Sequence, residues 1–401
     1  MVISPKCSEK EFLDGSETRD SAKSLQVGTI SGVRYHDDFA ETGREPPERP
    51  GEEGFVKTVN IAMLGSGFVA EFYLQGLSNV NGHRGAVCYS RSRKRAEAFA
   101  QRWGIPESST NLDALIARED IDLYVIALPN EAHLPVSLAL SAARKNQVCT
   151  KPLARNRKEA GQMLKAAQKS GAFHGYAETE VFAPAVVKAK ETIDAGGIGK
   201  VVWVRSRESH SGPHSPHFWD IEKTGGGAMN DLACHCVEAA RYFYGKQDKV
   251  VEVMAWGANL VHAKKTKGED NALLMLKMEG GGFAHCELSW TCMGGLDLRN
   301  EIHGSEGSIF TDVTRGTPVH SFTSKSAGYV IEKADIDFGW TRPLPEEAFA
   351  YGYQAEMKHF VECVRDGVPA REDYFDGYAV NCILDAGYQS MKAGKWVRVK
   401  Y

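Results

Sequence analysis

Thr58-Val-Asn-Ile-Ala-Met-Leu-Gly-Ser-Gly-Phe-Val-Ala70 decides the fold of this chain. Its first half, through Leu64, is a short apolar run of the kind found in strands buried on both faces. Its second half is a Gly65-x-Gly67-x-x-Ala70 turn that opens a helix expected over residues 68–77. Gly65 permits the tight turn, Gly67 lets the backbone approach a pyrophosphate, and Ala70 lets the helix close on the sheet. The first N–H groups of such a helix have no partner within it and attract an anion. A glycine pair alone is common and can be a plain strand–helix turn. Between a buried strand and a helix it predicts a dinucleotide site, with Gly65, Ser66, Gly67, Phe68 and Val69 as candidate cofactor contacts.

Outward from this turn the chain alternates. Strands are expected at 85–89, 122–128 and 147–150, and helices at 94–103, 113–117 and 134–145. This rhythm predicts an α/β, Rossmann-type doubly wound parallel sheet over residues 56–178. The second strand should end where the adenosine ribose is read. An acid there would select NAD, but Ser90 and Arg91 stand in its place, with Arg93 and Lys94 behind. They can accept the phosphate of NADP, Arg91 can stack on adenine, or the cluster is a solvated basic helix start. The cofactor is therefore NAD or NADP, the form left open.

Beyond residue 178 the texture changes. Strands are expected at 200–208, 249–256, 272–278, 282–290 and 299–303, with helices at 234–244, 355–365 and 377–393. This reads as a second α+β domain, residues 179–401, with a large, mostly antiparallel open sheet for substrate binding and oligomerisation. Alternation in 283–290 suggests a broad apolar face for subunit contact.

Residues 1–55 differ from both. They are charged, lack apolar periodicity and end in Arg44-Glu-Pro-Pro-Glu-Arg-Pro-Gly51, which predicts a tail or a docking arm. The 48 basic and 52 acidic residues give a net charge of −4, no electrostatic reason to expect nucleic acid. No apolar run reaches eighteen residues and no signal pattern opens the chain, so a cytoplasmic protein without a membrane span is expected. Nine irregularly spaced cysteines then read as free thiols.

Two places carry chemistry. Lys151 follows the last Rossmann-type strand and is aimed at the crevice beyond the strand ends, where an ammonium can hydrogen-bond a substrate oxygen; otherwise it is a surface lysine at a boundary. The run Gly225-Gly-Gly-Ala-Met-Asn-Asp-Leu-Ala-Cys-His235 offers glycines that leave room for a ligand or a close backbone. Asp231 and His235, four apart, share a face on a continuous helix. Histidine can take a hydroxyl proton and the acid can orient it; the alternative is an N-cap aspartate and a core histidine. His210, His214 and His217 lie in Ser-His-Ser-Gly-Pro-His-Ser-Pro-His-Phe-Trp219 without a fixed ligand spacing, so no metal is predicted. That segment is read as a loop over the pocket, with His217 and Trp219 on a sugar's hydroxyls and apolar face. Tyr176, Glu178 and His133 are further pocket candidates.

The 65–70 turn, Pro129-Asn-Glu-Ala-His133, Lys151-Pro152 and the 225–235 run resemble the glucose–fructose oxidoreductase/inositol dehydrogenase (Gfo/Idh/MocA) family. The resemblance runs from residue 57 to the C-terminus. It implies that Lys151, Asp231 and His235 line the active site and adds Pro129, Asn130 and His133 to the cofactor contacts. Two residues depart from the family pattern: Thr150 stands where a glutamate usually precedes the lysine, and Ala233 replaces a glycine. The implied activity is hydride transfer between a nicotinamide and a secondary hydroxyl or ketone of a sugar, glycoside or cyclitol. The implied assembly is a homo-oligomer, dimer or tetramer. The alternatives are an NAD-using glycosidase working by transient oxidation and elimination, and a non-catalytic sugar sensor.

Overall fold

A computed structural model describes residues 57–317 and 319–401, so the arm expected over residues 1–55 lies outside the described residues. The first half runs β1 (Val59–Leu64), α1 (Phe68–Leu77), β2 (His83–Tyr89), α2 (Arg93–Trp103), β3 (Glu107–Ser109), α3 (Leu112–Ile116), β4 (Leu123–Ile126), α4 (Asn130–Ala142), β5 (Gln147–Thr150), α5 (Arg157–Ser170) and β6 (His174–Ala177). The strands form one sheet in the order β3-β2-β1-β4-β5-β6, every recorded pair parallel. Strand order reverses direction between β1 and β4, and ligands of such sheets bind at that switch point. The apolar run that predicted β1 is buried along both faces, with Ile61 and Met63 in one core and Ala62 and Leu64 in the other.

Local chemistry explains the helix ends. Ser92 caps α2 by accepting from the Arg95 N–H, and Gly104 ends it in the left-handed conformation. Three elements escape the periodicity reading. β3 is a three-residue polar edge, and β6 is four residues long with Gly175 pressed against Phe360, so neither has an alternating pattern to find. The buried stripe of α5, Ala160, Met163, Leu164 and Ala167, is thin among charged residues.

The second half runs α6 (Pro184–Asp194), β7 (Val201–Ser209), α7 (Ile221–Thr224), α8 (Ala228–Tyr244), β8 (Val250–Ala258), β9 (Asn271–Met278), β10 (Phe283–Ser289), β11 (Asp297–Gly304), β12 (Ser308–Asp312), the hairpin β13 (Ser321–Thr323) and β14 (Gly339–Thr341), α9 (Glu347–Ala350), α10 (Tyr353–Asp366), α11 (Tyr374–Ala393) and β15 (Val397–Arg398). Its sheet has the order β12-β11-β7-β10-β9-β8-β15 and is antiparallel except between β7 and β10. One face, with Val204, Leu274, Leu276, Ala284 and Leu288, packs in a common core with α8.

The opposite face is open. It carries Trp203 and Trp256, 46% and 51% exposed, with Leu273 and Met275. The apolar face expected on β10 belongs mostly to these neighbouring strands, because His285 and Glu287 occupy the matching positions of β10.

Helix α8 starts at Ala228, six residues before the expected 234, with Gly227 as its N-cap. The three preceding glycines serve close packing. A Cβ on Gly225, Gly226 or Gly227 would stand about 2 Å from the Arg155 carbonyl, the Tyr388 hydroxyl or the Glu269 carbonyl. Arg241, near the end of α8, pairs with Glu238 and Asp376, the latter on α11. The last helices tie the halves together: α10 puts Met357, Phe360 and Val361 into the core of the first sheet, while α11 puts Ile383 and Leu384 into that of the second. Among the described residues eight cysteines are free thiols, and no helix is long and apolar enough to cross a membrane.

Candidate active site

A cleft of about 850 Å³ opens at the carboxyl ends of β1, β4 and β5 and is closed on its far side by α8, β7 and the 214–218 segment. Its two walls are built differently.

One wall is backbone and small side chains. Gly65, Ser66, Gly67, Phe68 and Val69 line it, followed by Ser90, Arg91, Ser92 and Arg95 and by Pro129 and Asn130. Gly65 has φ +136°, and a Cβ there would lie 2.1 Å from the Ala127 carbonyl oxygen, so only glycine fits this turn against β4. Gly67 faces open space, with nothing within 4 Å of where its Cβ would be. The Ser66 hydroxyl is buried with no partner among the described residues. A bared turn, an unused hydroxyl and the N-terminus of α1 fit a dinucleotide's pyrophosphate. The end of β2 offers hydroxyls and guanidinium groups and no carboxylate.

The other wall is made of ionisable side chains. Lys151, at the end of β5, donates to the Asp231 carbonyl at 2.9 Å and to its carboxylate at 3.1 Å. Asp231 also accepts from the Trp290 indole at 3.1 Å. It lies in the first turn of α8 and is not the cap. Burial works against both charges, but each supports the other. Lys151 is held well above the ordinary lysine range, and Asp231 falls to about 2 through Lys151, His214 and His210. The pairing with Asp231 favours the ammonium form of this lysine.

His235 lies one turn further along α8, on the cleft. Its Nδ1 is 2.5 Å from Glu178 Oε1, and its Nε2 is 3.9 Å from Glu208 Oε2, beyond hydrogen-bond reach. Burial, with Lys151 nearby, pushes His235 well below its usual range. Burial lifts Glu178 to about 8 against the pull of Lys151. The low dielectric disfavours separated charge on the pair. Below about pH 8 the dyad carries two protons, one shared between Oε1 and Nδ1 and one on Nε2. Loss of one of them leaves Nδ1–H donating to the carboxylate and Nε2 bare.

Glu208 and Glu180 line the same wall and were not anticipated. Glu208 was legible: in the strand Val204-Arg-Ser-Arg-Glu208, alternation puts it on the face of Val204 and Ser206. Glu180 has no such signal, being set by the short 3₁₀ turn Thr179–Phe182 after β6.

Four expected contacts fall off the cleft wall. His133 is fully buried, its ring nitrogens facing the carbonyls of Leu128, Pro152 and Leu153, so it braces the Lys151 loop from behind. Tyr176 is sealed in the core of the first sheet. Glu178 is fully buried and reaches the site through His235. Trp219 packs edge-on against Trp290 and His262 instead of facing a ligand.

His217 does line the cleft, on the expected loop. That loop is strapped by Lys333, which donates to the carbonyls of Ser211, Gly212 and Pro213, and by Glu332 against His214. Candidate ligand atoms of His210, His214 and Asp231 come within 4.8 Å of one another, but both oxygens of Asp231 are already engaged by Lys151 and Trp290.

Comparison with known proteins follows this division. Residues 59–177 match the oxidoreductase-family NAD-binding Rossmann fold, and residues 186–310 match the GFO/IDH/MocA C-terminal domain. The chain is 27% identical to levoglucosan dehydrogenase of Pseudarthrobacter phenanthrenivorans over 86% of this chain and 99% of that one. It is 28% identical to scyllo-inositol 2-dehydrogenase (NAD(+)) of Bacillus subtilis over 77% and 87%. Among solved structures, GenD2 from gentamicin A biosynthesis in complex with NAD superimposes with a TM-score of 0.81 at 28% identity, over 88% of this chain and 99% of that one. With both halves matched by the models of one family, the chain belongs to the Gfo/Idh/MocA oxidoreductases.

Proposed function

We propose that this protein is an NAD- or NADP-dependent dehydrogenase that oxidises a secondary hydroxyl of a sugar, glycoside or cyclitol, or reduces the matching ketone. The observation that carries this reading is the opposition of a bare glycine turn and a Lys151/His235 wall across one cleft. Relatives named for levoglucosan and inositol oxidation support the substrate class.

The nicotinamide supplies the hydride acceptor when bound. The chain's own residues handle the proton. Lys151 has three N–H donors, two of them directed to Asp231, and the third polarises the substrate oxygen. Because Asp231 engages Lys151 and favours its charged form, His235 is the base: its bare Nε2 takes the hydroxyl proton, while Glu178 holds the ring by Nδ1. In the reverse direction the protonated dyad returns that proton. Ser66, Gly67 and the start of α1 hold the pyrophosphate; Ser90 and Arg91 meet the adenosine ribose, with Arg91 admitting a 2′-phosphate. His217 meets a substrate hydroxyl. The second sheet's open apolar face joins copies into a homo-oligomer in the cytoplasm.

The test is direct. Any bound nucleotide is first extracted and identified. The protein is then mixed with NAD or NADP and a panel of sugars, glycosides and inositols, following reduced-nicotinamide absorbance and product mass. Reduction without loss of an aglycone is expected. Aglycone release with no net reduction would replace this reading with a glycosidase.

A further inference from the structure

The wall opposite the cofactor turn is acidic beyond what proton transfer needs. Asp231 is neutralised by Lys151, and Glu332 sits against His214. Glu208 and Glu180 line the cleft, and among the described residues neither forms an ion pair with a lysine or arginine. Glu208 is 5% exposed and Glu180 2%, and each has a carboxylate oxygen, Oε2, buried without a hydrogen-bond partner among the described residues. Asn300 satisfies the other oxygen of Glu180. Keeping two carboxylates ionised at this depth on one wall is unfavourable unless a cation compensates them. Hydroxyl or amide side chains would bind a neutral ring hydroxyl without that penalty.

We propose that the natural substrate bears a primary ammonium group on a ring carbon next to the one oxidised, held by Glu208 with Glu180 alongside. The proposal rests on the dehydrogenase reading above and names its substrate class. The position follows from distance. Glu208 Oε2 is 3.9 Å from His235 Nε2, so a ring whose hydroxyl faces the base offers its neighbouring substituent to Glu208. An ammonium has three donors and no acceptor, which suits carboxylate oxygens that lack donors.

The charges around Glu208 set the proton balance. Lys151 favours its ionised form, while Glu180, Asp231 and Glu178 oppose it, and burial, the largest influence, holds its pKa well above the usual range. In the empty site, burial therefore favours the protonated carboxyl. When the ammonium arrives, Glu208 gives up its proton to solvent and becomes the carboxylate of an ion pair.

The test uses the full-length protein and matched rings: D-glucosamine against D-glucose and N-acetyl-D-glucosamine, and an amino-deoxy-inositol against the parent inositol. At pH 7 the aminated rings should show kcat/KM about ten- to a hundred-fold above their neutral partners, the range expected of a charge-assisted contact. In a dead-end mixture with the reduced cofactor, a weakly buffered titration with glucosamine should release about one proton per site, and glucose none. Glu208→Gln should collapse the ratio and abolish the release; Glu208→Asp should restore part of both.

Equal or better turnover of the neutral rings, together with equal binding and no proton release, overturns the ammonium site and leaves the dehydrogenase standing. If no ring of either kind reduces the cofactor, the dehydrogenase reading falls. The titration alone then decides: glucosamine binding with proton release supports the site, and its absence overturns it. A divalent metal retained at one per chain would also overturn it, since the metal would then compensate these carboxylates.

Discussion

The two walls of the cleft line one cavity and obey different rules. The cofactor wall works by leaving atoms out: Gly65 has no Cβ to strike Ala127, and Gly67 opens onto free space. The substrate wall works by burying ionisable groups, drawing Lys151 from the end of β5, Glu180 from the turn after β6, Glu208 from β7, and Asp231 and His235 from α8, with Glu178 behind His235. The first should respond to added volume and hardly to pH. The second should respond to pH and to the exchange of single oxygens for nitrogens.

The largest effects should come from the charged wall. Lys151→Ala should lower kcat/KM about a thousand-fold, and His235→Asn should lower kcat by about 10²–10⁴-fold. Both should leave the fold intact by circular dichroism. An unchanged kcat/KM in the lysine variant would remove Lys151 from the catalytic machinery.

Gly65→Ala probes the opposite wall. A Cβ 2.1 Å from a carbonyl oxygen, at φ +136°, should cost about 3 kcal/mol or more of stability and weaken nucleotide binding. Chemical denaturation and nucleotide fluorescence titration measure the two losses. An unchanged midpoint would mean that β1 and β4 meet differently from the geometry described.

Glu178→Gln sharpens the comparison through pH. In the unaltered protein, oxidation should rise along a limb near pH 8 as the His235–Glu178 pair loses its proton. With glutamine the limb should move to lower pH, and a kcat/KM profile from pH 6 to 10 would show it. An unmoved limb would assign the proton elsewhere.

The smallest expected change concerns stability. The folded pKa of Glu180 is about 8, against an ordinary value of 4.5, raised by burial despite the Asn300 hydrogen bond. The folded state therefore binds more protons between those values, and this group's contribution is lost as pH rises from about 4.5 through 8. Glu180→Gln should gain on the unaltered protein across that window, by a few degrees in Tm at pH 8 and little at pH 5. A constant difference between the two melting curves would count against it.

The cofactor wall was readable because it is local. The apolar strand, the glycine spacing and the helix start occupy thirteen consecutive residues, so chain connectivity brings them together. Lys151, Asp231 and His235 were readable for a similar reason, each lying at a strand end or on one helix face. His133 and Trp219 show the limit. Both lie where a ligand contact was expected, yet neighbouring carbonyls and indoles engage them first.

By itself, then, the order of residues determined the parallel sheet and singled out the glycine turn, Lys151 and His235 as candidates, all of which depend on short-range spacing. Packing alone decided that Glu178 lies behind His235, that Glu180 faces the cleft, and that Oε2 of Glu208 and of Glu180 has no hydrogen-bond partner among the described residues. The physical reason is that a carboxyl group's role depends on its burial and on the groups near it, and those neighbours come from far along the chain: 57 residues for Glu178 and His235, 80 for Asp231 and Lys151, 120 for Glu180 and Asn300.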